Sequence, residues 1–341
     1  MKRATIQLKT TIRNFRRKMA SAVFSVFFVM SCSPIDQLSY SDDIPVSTNY
    51  EVFFATNRAL GQGGFNYDRS AQMAYGRTNV SVPPFHKRGK IEYPGDIRNP
   101  LREFGHDKLM LSKGQSDFVL QINARLANKP AGKRDVVVFV HGYNNTFDEA
   151  LYLNTQLLHD ASKNYLPVMF TWPSRGKGTG YLRDKDSVLY SRAAFESLLT
   201  QMQNSNAESF TVIGHSIGSL LIMETMRQNA IRKSTSWSKL RSVILVAPDI
   251  DRDLFNQQVR DMNGFKKPLF VISSEDDILL RVSNAIAGGD LRLGAAESED
   301  EIGVDGVTIK SVTYANDKFS TNHMTAFQKS EILDYIGSIL P

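Results

Sequence analysis

Residues 210–229 read FTVIGHSIGSLLIMETMRQN, and this segment is the strongest indication of the fold in the sequence. Residues 210–213 form a short apolar run typical of a buried strand, and residues 217–229 have the pattern of a helix. Between them stands Gly214-His-Ser-Ile-Gly218, a G-x-S-x-G pentapeptide. A strand that turns into a helix over so few residues leaves no space for side chains two positions before and after the serine, and glycine occupies both. The pattern predicts a tight turn that projects the Ser216 hydroxyl above the edge of a sheet.

Predicted strands and helices alternate on both sides of this segment. Further apolar runs predict strands at residues 136–140, 168–172, 243–246, 269–272 and 307–314. Helical patterns lie at residues 116–127, with Ser116 as the expected cap, and at 147–162, 185–203, 278–287 and 324–340. Earlier strands are expected at residues 51–55 and 78–82, with weaker ones near Ile91 and Leu109. Alternation of this kind is typical of an α/β fold with a mostly parallel central sheet and helices on both faces.

The N-terminus has the features of a targeting segment. Residues 1–31 contain seven basic side chains and no acidic one, and residues 19–30 are uncharged and mostly apolar. An apolar run of this length suits a signal peptide, whereas a membrane-spanning helix needs about 20 residues. Cys32, the only cysteine, lies just beyond the run. This arrangement resembles a bacterial lipobox, in which the thiol is acylated; an uncleaved short anchor is the alternative.

These features predict the domain organisation and the location of the protein. Residues 1–31 are expected to be a lipoprotein-type signal peptide, residues 32–49 a flexible tether and residues 50–341 one folded domain. The lipidated Cys32 would then hold the protein at a membrane of the bacterial cell envelope. No aspartate follows the cysteine, which favours the outer membrane.

The excess of basic residues is confined to this terminus. The chain has 41 lysines and arginines, 35 aspartates and glutamates, and a formal net charge of +6. Without the seven basic residues of the first 31 positions, 34 basic residues face 35 acidic ones. The body of the protein is therefore nearly neutral, which argues against a nucleic-acid partner.

Two patterns resemble binding motifs only in part. Gly61-Gln-Gly-Gly64 lacks the strand–turn–helix setting of a phosphate-binding loop and is interpreted as a mobile loop. Residues 249–260 begin with a D-x-D-x-D run, but Leu254 and Arg260 stand where a calcium loop needs glycine and glutamate. The sequence therefore suggests no metal and no organic cofactor.

A serine hydroxyl becomes a useful nucleophile when a base, usually histidine, removes its proton. Of the six histidines, three lie in the N-terminal region or within a helix: His86, His106 and His159. His141 and His215 lie in sharp turns, where they are better placed to shape a site than to reach the serine. His323 follows the last predicted strand, and in this architecture its loop opens on the same sheet edge as Ser216. We therefore predict His323 as the base.

An acid should orient the imidazole and stabilise its charged form. Asp276 follows the strand predicted at residues 269–272, and the apolar Ile278 then returns the chain to the core. We predict Asp276 as the acid, with Asp277 as the second choice and Asp249 as a third.

A developing oxyanion needs preorganised donors. The backbone N–H of Ile217, at the start of a helix, is one candidate. The loop after residues 136–140 should supply the other, and Gly142 lets its backbone approach a substrate closely, which indicates the Tyr143 N–H. A basic loop at Trp172, Arg175 and Lys177 is a candidate rim for an anionic group, with an ordinary solvated loop as the alternative.

The sequence also resembles a bacterial branch of the α/β hydrolases that is filed as a domain of unknown function. The resemblance lies in Phe139-Val-His-Gly-Tyr-Asn-Asn-Thr-Phe147, Thr171-Trp-Pro-Ser-Arg-Gly176, Ala247-Pro-Asp-Ile-Asp-Arg-Asp253, Phe54-Ala-Thr-Asn-Arg58 and Tyr75-Gly-Arg-Thr-Asn-Val-Ser-Val-Pro83. It covers roughly residues 50–335 and implies the α/β-hydrolase fold with a triad of Ser216, Asp276 and His323, in the chain order that this fold uses.

These observations predict a serine hydrolase that cleaves a carboxylic ester, a thioester or an amide of a small acyl substrate through an acyl-enzyme. One alternative is a catalytically idle hydrolase fold that serves as a binding or scaffolding lipoprotein of the envelope. Another is a membrane-active lipase, which would favour a long apolar lid. Residues 247–268, between two predicted strands, are polar and indicate no such lid.

Overall fold

A computed structural model of the protein describes residues 47–176, 180–274, 277–287, 291–312 and 327–341. Its strands are β1 (Thr48–Gly61), β2 (Gly64–Val82), β3 (Gly105–His106), β4 (Met110–Leu111), β5 (Asp135–Val140), β6 (Leu166–Thr171), β7 (Ser209–His215), β8 (Leu240–Val246), β9 (Leu269–Ser273) and β10 (Val307–Ser311). Its helices are α1 (Gln115–Ala127), α2 (Phe147–Asp160), α3 (Tyr181–Tyr190), α4 (Arg192–Asn204), α5 (Ile217–Arg232), α6 (Arg252–Asp261), α7 (Ile278–Ala287) and α8 (Ser330–Ile339).

The described strands form one sheet in the order β10-β9-β8-β7-β5-β6-β1-β2-β3, with β4 also paired to β2. From β1 to β10 across the middle of the sheet, all neighbours run parallel, whereas β1 and β2 are antiparallel. The predicted α/β fold class with a mostly parallel sheet is therefore confirmed.

The order of the strands reverses direction at β5. After β5 the chain forms β6, which pairs with one edge of β5. It then crosses back to form β7, which pairs with the other edge of β5. In open α/β sheets, ligands bind in the crevice outside the carboxyl ends of the strands at such a switch point. The loop that begins at His141 and the turn at Ser216 both lie there.

Alternate residues of the central strands pack against the two layers of helices. On β5, Val136, Val138 and Val140 share a core with residues of α1, α4, α5 and α6. Val137 and Phe139 face the opposite side, where α2 and α8 pack. Because successive side chains on a strand point to opposite faces, one apolar run fills both cores.

The long β1–β2 hairpin differs from its prediction. Strand β1 begins at Thr48, three residues before the predicted start, and pairs with β2 from Thr48↔Val82 to Gly61↔Gly64. The glycine-rich segment that we expected to be a mobile loop is the two-residue turn of this hairpin. Gly64 has φ 113°, a backbone angle that a residue with a side chain rarely adopts.

Other expectations also require correction. Helix α1 begins at Gln115 with Gly114 as its N-cap, so Ser116 is not the cap. The helix predicted at residues 185–203 is two helices, which separate at Ser191. The Ser191 hydroxyl donates to the carbonyl of Ser187 (2.7 Å), which also accepts from the Ser191 N–H (3.0 Å); a serine bond of this kind often bends a helix. Ile91 lies in no strand, and β3 was not predicted.

Helix α6 was also missed, because its sequence is mostly polar. Only Phe255 and Val259 supply large apolar side chains to the core. Arg227 of α5 pairs with Asp261 of α6 at 2.5 Å, so α6 is packed on the body of the protein. The segment between β8 and β9 is thus a short packed helix with its connections.

The predicted signal peptide and Cys32 lie outside the described residues, as does the tether up to Val46. In the part of the chain that is described, no helix has both the length and the hydropathy needed to cross a membrane.

Candidate active site

Ser216 lies in the sharp turn between β7 and α5. Its backbone has φ 51° and ψ −127°, which L residues rarely adopt. A conformation of this kind costs about 1–3 kcal/mol and persists only where the surrounding structure imposes it. The Ser216 N–H donates to the carbonyl of Val246 (2.9 Å), and the Ser219 N–H donates to the carbonyl of Ser216 (3.0 Å). The turn therefore has the strained strand–turn–helix geometry that the pentapeptide predicts.

Glycines allow the loop after β5 to pack directly on this turn. A Cβ on Gly218 would lie 2.4 Å from the carbonyl oxygen of His141. A Cβ on Gly142 would lie 3.0 Å from the Cβ of Ser216. The backbone that leads from Gly142 to Tyr143 is therefore in contact with the serine turn.

His141 is a buried structural residue of this loop. Its Nδ1 donates to the carbonyl of Gly142 (2.8 Å), and its Nε2 accepts from the backbone N–H of Trp172 (3.2 Å). Burial, followed by the nearby charge of Arg58, lowers the pKa of His141 to about 3. The ring is neutral near pH 7 and both its nitrogens are engaged, so His141 is not available as a base.

Trp172 was expected to lie at the rim of the site, and this expectation is wrong. The indole is fully buried and stacks on the His141 ring, with centroids 4.9 Å apart and planes at 13°. Its Nε1 donates to the carbonyl of His141 (2.9 Å). Of the other two basic-loop residues, Arg175 is exposed and Lys177 lies outside the described residues.

Arg58 connects three segments beneath the site. Its side chain leaves β1, is only 2% exposed, and donates from Nε to the Thr171 hydroxyl (2.8 Å). The two terminal nitrogens donate to the carbonyls of Ser174 (3.0 Å) and Asn145 (2.7 Å). Burial lowers the pKa of Arg58 to about 10, so the guanidinium remains charged near pH 7. One side chain thus holds the loops after β5 and β6 in a fixed relation.

Asp184 of α3 completes this network. It accepts hydrogen bonds from the Ser174 hydroxyl (2.6 Å) and from the Arg175 N–H (2.9 Å). The Asn145 N–H in turn donates to the Ser174 hydroxyl (3.3 Å). Burial raises the pKa of Asp184, while these donors and the charge of Arg58 act in the opposite direction.

The three candidate acids differ in their surroundings. Asp249, after β8, accepts from the hydroxyls of Tyr181 (2.7 Å) and Ser283 (2.7 Å), and Arg292 lies 3.5 Å away. Its carboxylate therefore belongs to a buried polar cluster with these side chains. Asp277 follows β9 and accepts from the backbone N–H of Leu280 (3.1 Å), which caps the start of α7. Asp276 lies outside the described residues.

His323 lies outside the described residues as well, so Ser216 is the one member of the predicted triad that the structure describes, beside Ile217 and the Gly142–Tyr143 backbone. The strands that precede the two remaining residues are described. Strand β9 ends at Ser273 and β10 at Ser311, both parallel to β7. Their carboxyl ends therefore open on the sheet edge that carries Ser216.

Sequence reasoning missed Arg58 and Asp184. The available signal for Arg58 was an arginine shortly after the apolar run of a strand, and Asp184 offered only an acidic residue near a helix start. Their partners are distant in sequence: Arg58 and Thr171 are 113 positions apart. No local pattern could join them.

The comparisons with known proteins agree with this architecture. Residues 116–338 match the model of a family described as "Alpha/beta hydrolase of unknown function (DUF900)". The chain belongs to this family. It is therefore an α/β hydrolase, as its resemblance predicted. A search of curated proteins found no match.

Solved structures similar to this α/β hydrolase include several esterases. An esterase from Pyrobaculum calidifontis is 12% identical, with coverage of 96% of this chain and 91% of the esterase and a TM-score of 0.34. A thermostable carboxylesterase cloned from a metagenomic library is 11% identical, with coverage of 88% of this chain and 91% of the carboxylesterase and a TM-score of 0.37. A monoacylglycerol lipase from Paleococcus ferrophilus is 13% identical, with coverage of 60% of this chain and 95% of the lipase and a TM-score of 0.35.

Proposed function

We propose that this α/β hydrolase is a serine-dependent esterase that cleaves a carboxylic ester of a small molecule through an acyl-enzyme. One observation carries the proposal: Ser216 occupies a strained left-handed turn at the carboxyl end of β7, beside the switch point of the sheet. A serine that merely capped a helix would not need this backbone conformation. Strain at such a position is typical of a residue whose side chain must be presented to a substrate.

In the proposed mechanism, the Ser216 hydroxyl attacks the carbonyl carbon of the ester while His323 takes its proton. Collapse of the tetrahedral intermediate breaks the bond to the alkoxy group, and His323 returns the proton to the leaving alcohol. A water molecule then attacks the acyl-enzyme with His323 again as base, which releases the acid and restores Ser216.

The oxyanion is proposed to accept hydrogen bonds from two backbone N–H groups. Ile217 is the first residue of α5, and the first N–H groups of a helix have no acceptor within the helix. The second donor is the Tyr143 N–H, because the preceding Gly142 packs on Ser216. The helix N-terminus adds a favourable partial charge.

Asp276 is the proposed partner of His323. The contacts of the two alternatives support this choice, because Asp249 is already engaged by Tyr181 and Ser283, and Asp277 accepts the N–H that begins α7. Both alternatives thus have structural roles that account for their presence.

Hydrolysis of a series of p-nitrophenyl esters, from acetate to laurate, tests the proposed activity. The protein should turn over at least one of them, and Ser216→Ala should lower kcat by roughly 10⁶-fold. Ser236→Ala, which alters an exposed serine, is the matched control and should leave the rate unchanged. Esters, thioesters and amides of the preferred acyl group then define the bond that is cleaved. Lack of turnover across all three classes would favour the idle-scaffold alternative.

A further inference from the structure

A cluster of two histidines and an aspartate lies at the opposite end of helix α2 from the serine turn. Helix α2 starts at the end of the loop that contacts Ser216, and His159 and Asp160 are its last two residues. His86, in the segment after β2, packs against this end of the helix. One nitrogen of each histidine and one carboxylate oxygen of Asp160 lie within 4.8 Å of one another.

We propose that His86, His159 and Asp160 form a binding site for a zinc ion. Two imidazoles and one carboxylate are ligands that suit zinc and similar transition metals, whereas calcium and magnesium prefer oxygen ligands alone. Zinc with tetrahedral ligands at about 2.0–2.2 Å holds its ligand atoms about 3.4 Å apart. His86 Nε2 and Asp160 Oδ1 are already 3.0 Å apart, so a small adjustment admits the ion.

Hydrogen bonds to neighbouring side chains orient the two histidines as they do around a bound metal. His86 Nδ1 lies 2.8 Å from a carboxylate oxygen of Glu92, and His159 Nδ1 lies 2.9 Å from the hydroxyl of Tyr50. A ligating histidine usually donates its other ring N–H to a carboxylate or another oxygen. Glu92 therefore leaves Nε2 of His86 as the ligand atom that faces Asp160.

Hydrogen bonds also hold the carboxylate of Asp160 in the orientation that a metal ligand needs. Its Oδ2 accepts from the Gly89 N–H (2.8 Å) and from the Gln156 side-chain amide (2.5 Å). These two donors fix the carboxylate and leave Oδ1 directed toward His86. The position at the C-terminal end of α2 also favours a cation, because the helix dipole is negative there.

The proposed ion would join two segments of the chain, and a third is attached to one of them by a hydrogen bond. His86 belongs to the segment after β2, and the other two ligands to α2. Gln156, which holds Asp160, also donates to the carbonyl of Phe327 (3.0 Å). The 73 positions between the two histidines explain why no spacing motif revealed the site in the sequence. The inference is independent of the proposed esterase activity.

Titration calorimetry of the chelator-treated, full-length protein with zinc chloride at pH 7.5 tests this inference. We expect one zinc ion per chain, and an upward shift in Tm of about 5 °C at a hundred-fold excess of free zinc over the Kd. His86→Gln and His159→Gln should each weaken binding by about 100-fold or more. Glu92→Gln, which alters only an outer contact, should weaken it by about 10-fold.

Two controls make the result specific. Asp334→Asn removes the ion pair with Arg88 beside the cluster but removes no ligand, and it should bind zinc as the wild type does. His323→Ala should also bind zinc normally, because His323 is not one of the proposed ligands. Circular dichroism of the metal-free variants checks that each is folded. If a histidine variant does not fold, the Glu92→Gln result decides the test.

Three outcomes would overturn the proposal. The first is an absence of both heat and Tm shift with zinc. In that case His86 would only bridge the carboxylates of Glu92 and Asp160. The second is unchanged binding in folded His86→Gln and His159→Gln proteins. The third is loss of binding in His323→Ala alone, which would place the ion elsewhere.

Discussion

The backbone of Ser216 explains why a serine, two glycines and a short strand must occur together. The turn leaves β7 and enters α5 at a single residue with positive φ, and the space beside it is filled by the loop after β5. Local sequence was sufficient to predict this turn, because strand, turn and helix are contiguous. The chemistry proposed for the turn then leads to predictions for the individual side chains.

The first prediction concerns the unequal effects of removing the proposed triad. Ser216→Ala and His323→Ala should each abolish nearly the whole rate, and the double variant should be little worse, because the two residues act as a unit. Asp276→Asn should retain more activity than either, although its kcat should still fall by about 10⁴-fold, since it disturbs only the tautomer and charge of His323.

Steady-state kinetics of Asp249→Asn and Asp277→Asn supply the comparison. Both should have kcat values near that of the wild type, because Asp249 binds Tyr181 and Ser283, and asparagine can still accept the N–H that begins α7. A severe loss in Asp249→Asn would move the acid to the loop after β8. A severe loss confined to Asp277→Asn would move it by one residue.

His141 leads to a prediction about stability and pH. Its pKa is about 3 in the folded protein and about 6.5 when unfolded, so between these values the unfolded chain binds the extra proton. The free energy of unfolding therefore falls as the pH drops through this window and is fully recovered above pH 6.5. From pH 7 to 5, the wild type should lose about 2 kcal/mol more than His141→Gln in denaturant titrations. An equal loss in both proteins would mean that His141 is protonated in the folded state.

The two loops that border the switch point depend on an element far from them in sequence. Strand β1 contributes Arg58, which binds the carbonyls of Asn145 and Ser174 in the loops after β5 and β6. Each of the two loops leads into a helix. The contacts with Arg58 therefore set the position of one loop relative to the other. We therefore assign Arg58 a positioning role for the proposed reaction.

Arg58→Lys tests this role. A lysine ammonium cannot reach Thr171, Ser174 and Asn145 with the geometry of a planar guanidinium, so the loop that carries Tyr143 should shift. We expect kcat per active serine, counted with a covalent inhibitor, to fall by about 10–100-fold with little change in KM. Arg77→Lys, which affects a partly exposed ion pair with Glu51, is the control. Unchanged kcat per active serine would show that Arg58 only supports folding.

Elements were predictable from the sequence where their pattern was local and strong. The buried strands β5, β7 and β9 were found because their apolar runs are continuous, whereas α6 was missed because three apolar residues in ten give a weak signal. The split at Ser191 depends partly on Asn57, which donates to its hydroxyl from 134 positions away. Contacts of this kind, like those of Arg58 and Asp184, arise only when the sheet has assembled.

For the molecule as a whole, the sheet order determines where chemistry can occur. Strands β6 and β7 lie on opposite sides of β5, and the crevice at this point receives the loop after β5 and the Ser216 turn. The alternation of strands and helices predicted the fold class. It did not predict the order of the strands, which depends on pairings between distant segments.

The location of the whole molecule is a separate proposal. We propose that the chain is a lipoprotein of the bacterial envelope, because its only cysteine follows an apolar run after a basic segment. In bacterial cells given radiolabelled palmitate, the wild type should be labelled and sediment with membranes, and Cys32→Ala should do neither. Ser33→Ala should behave as the wild type. Equal labelling of the Cys32→Ala protein would contradict lipidation.

The central claim is that Ser216 is an activated nucleophile, and a fluorophosphonate probe tests it most directly. The probe forms a bond to a serine oxygen only where a base and an oxyanion site assist the attack. Peptide mapping of the folded protein by mass spectrometry should find one adduct, on Ser216, and none after His323→Ala or after unfolding. An adduct on another serine, or no adduct on a folded protein, would contradict the claim.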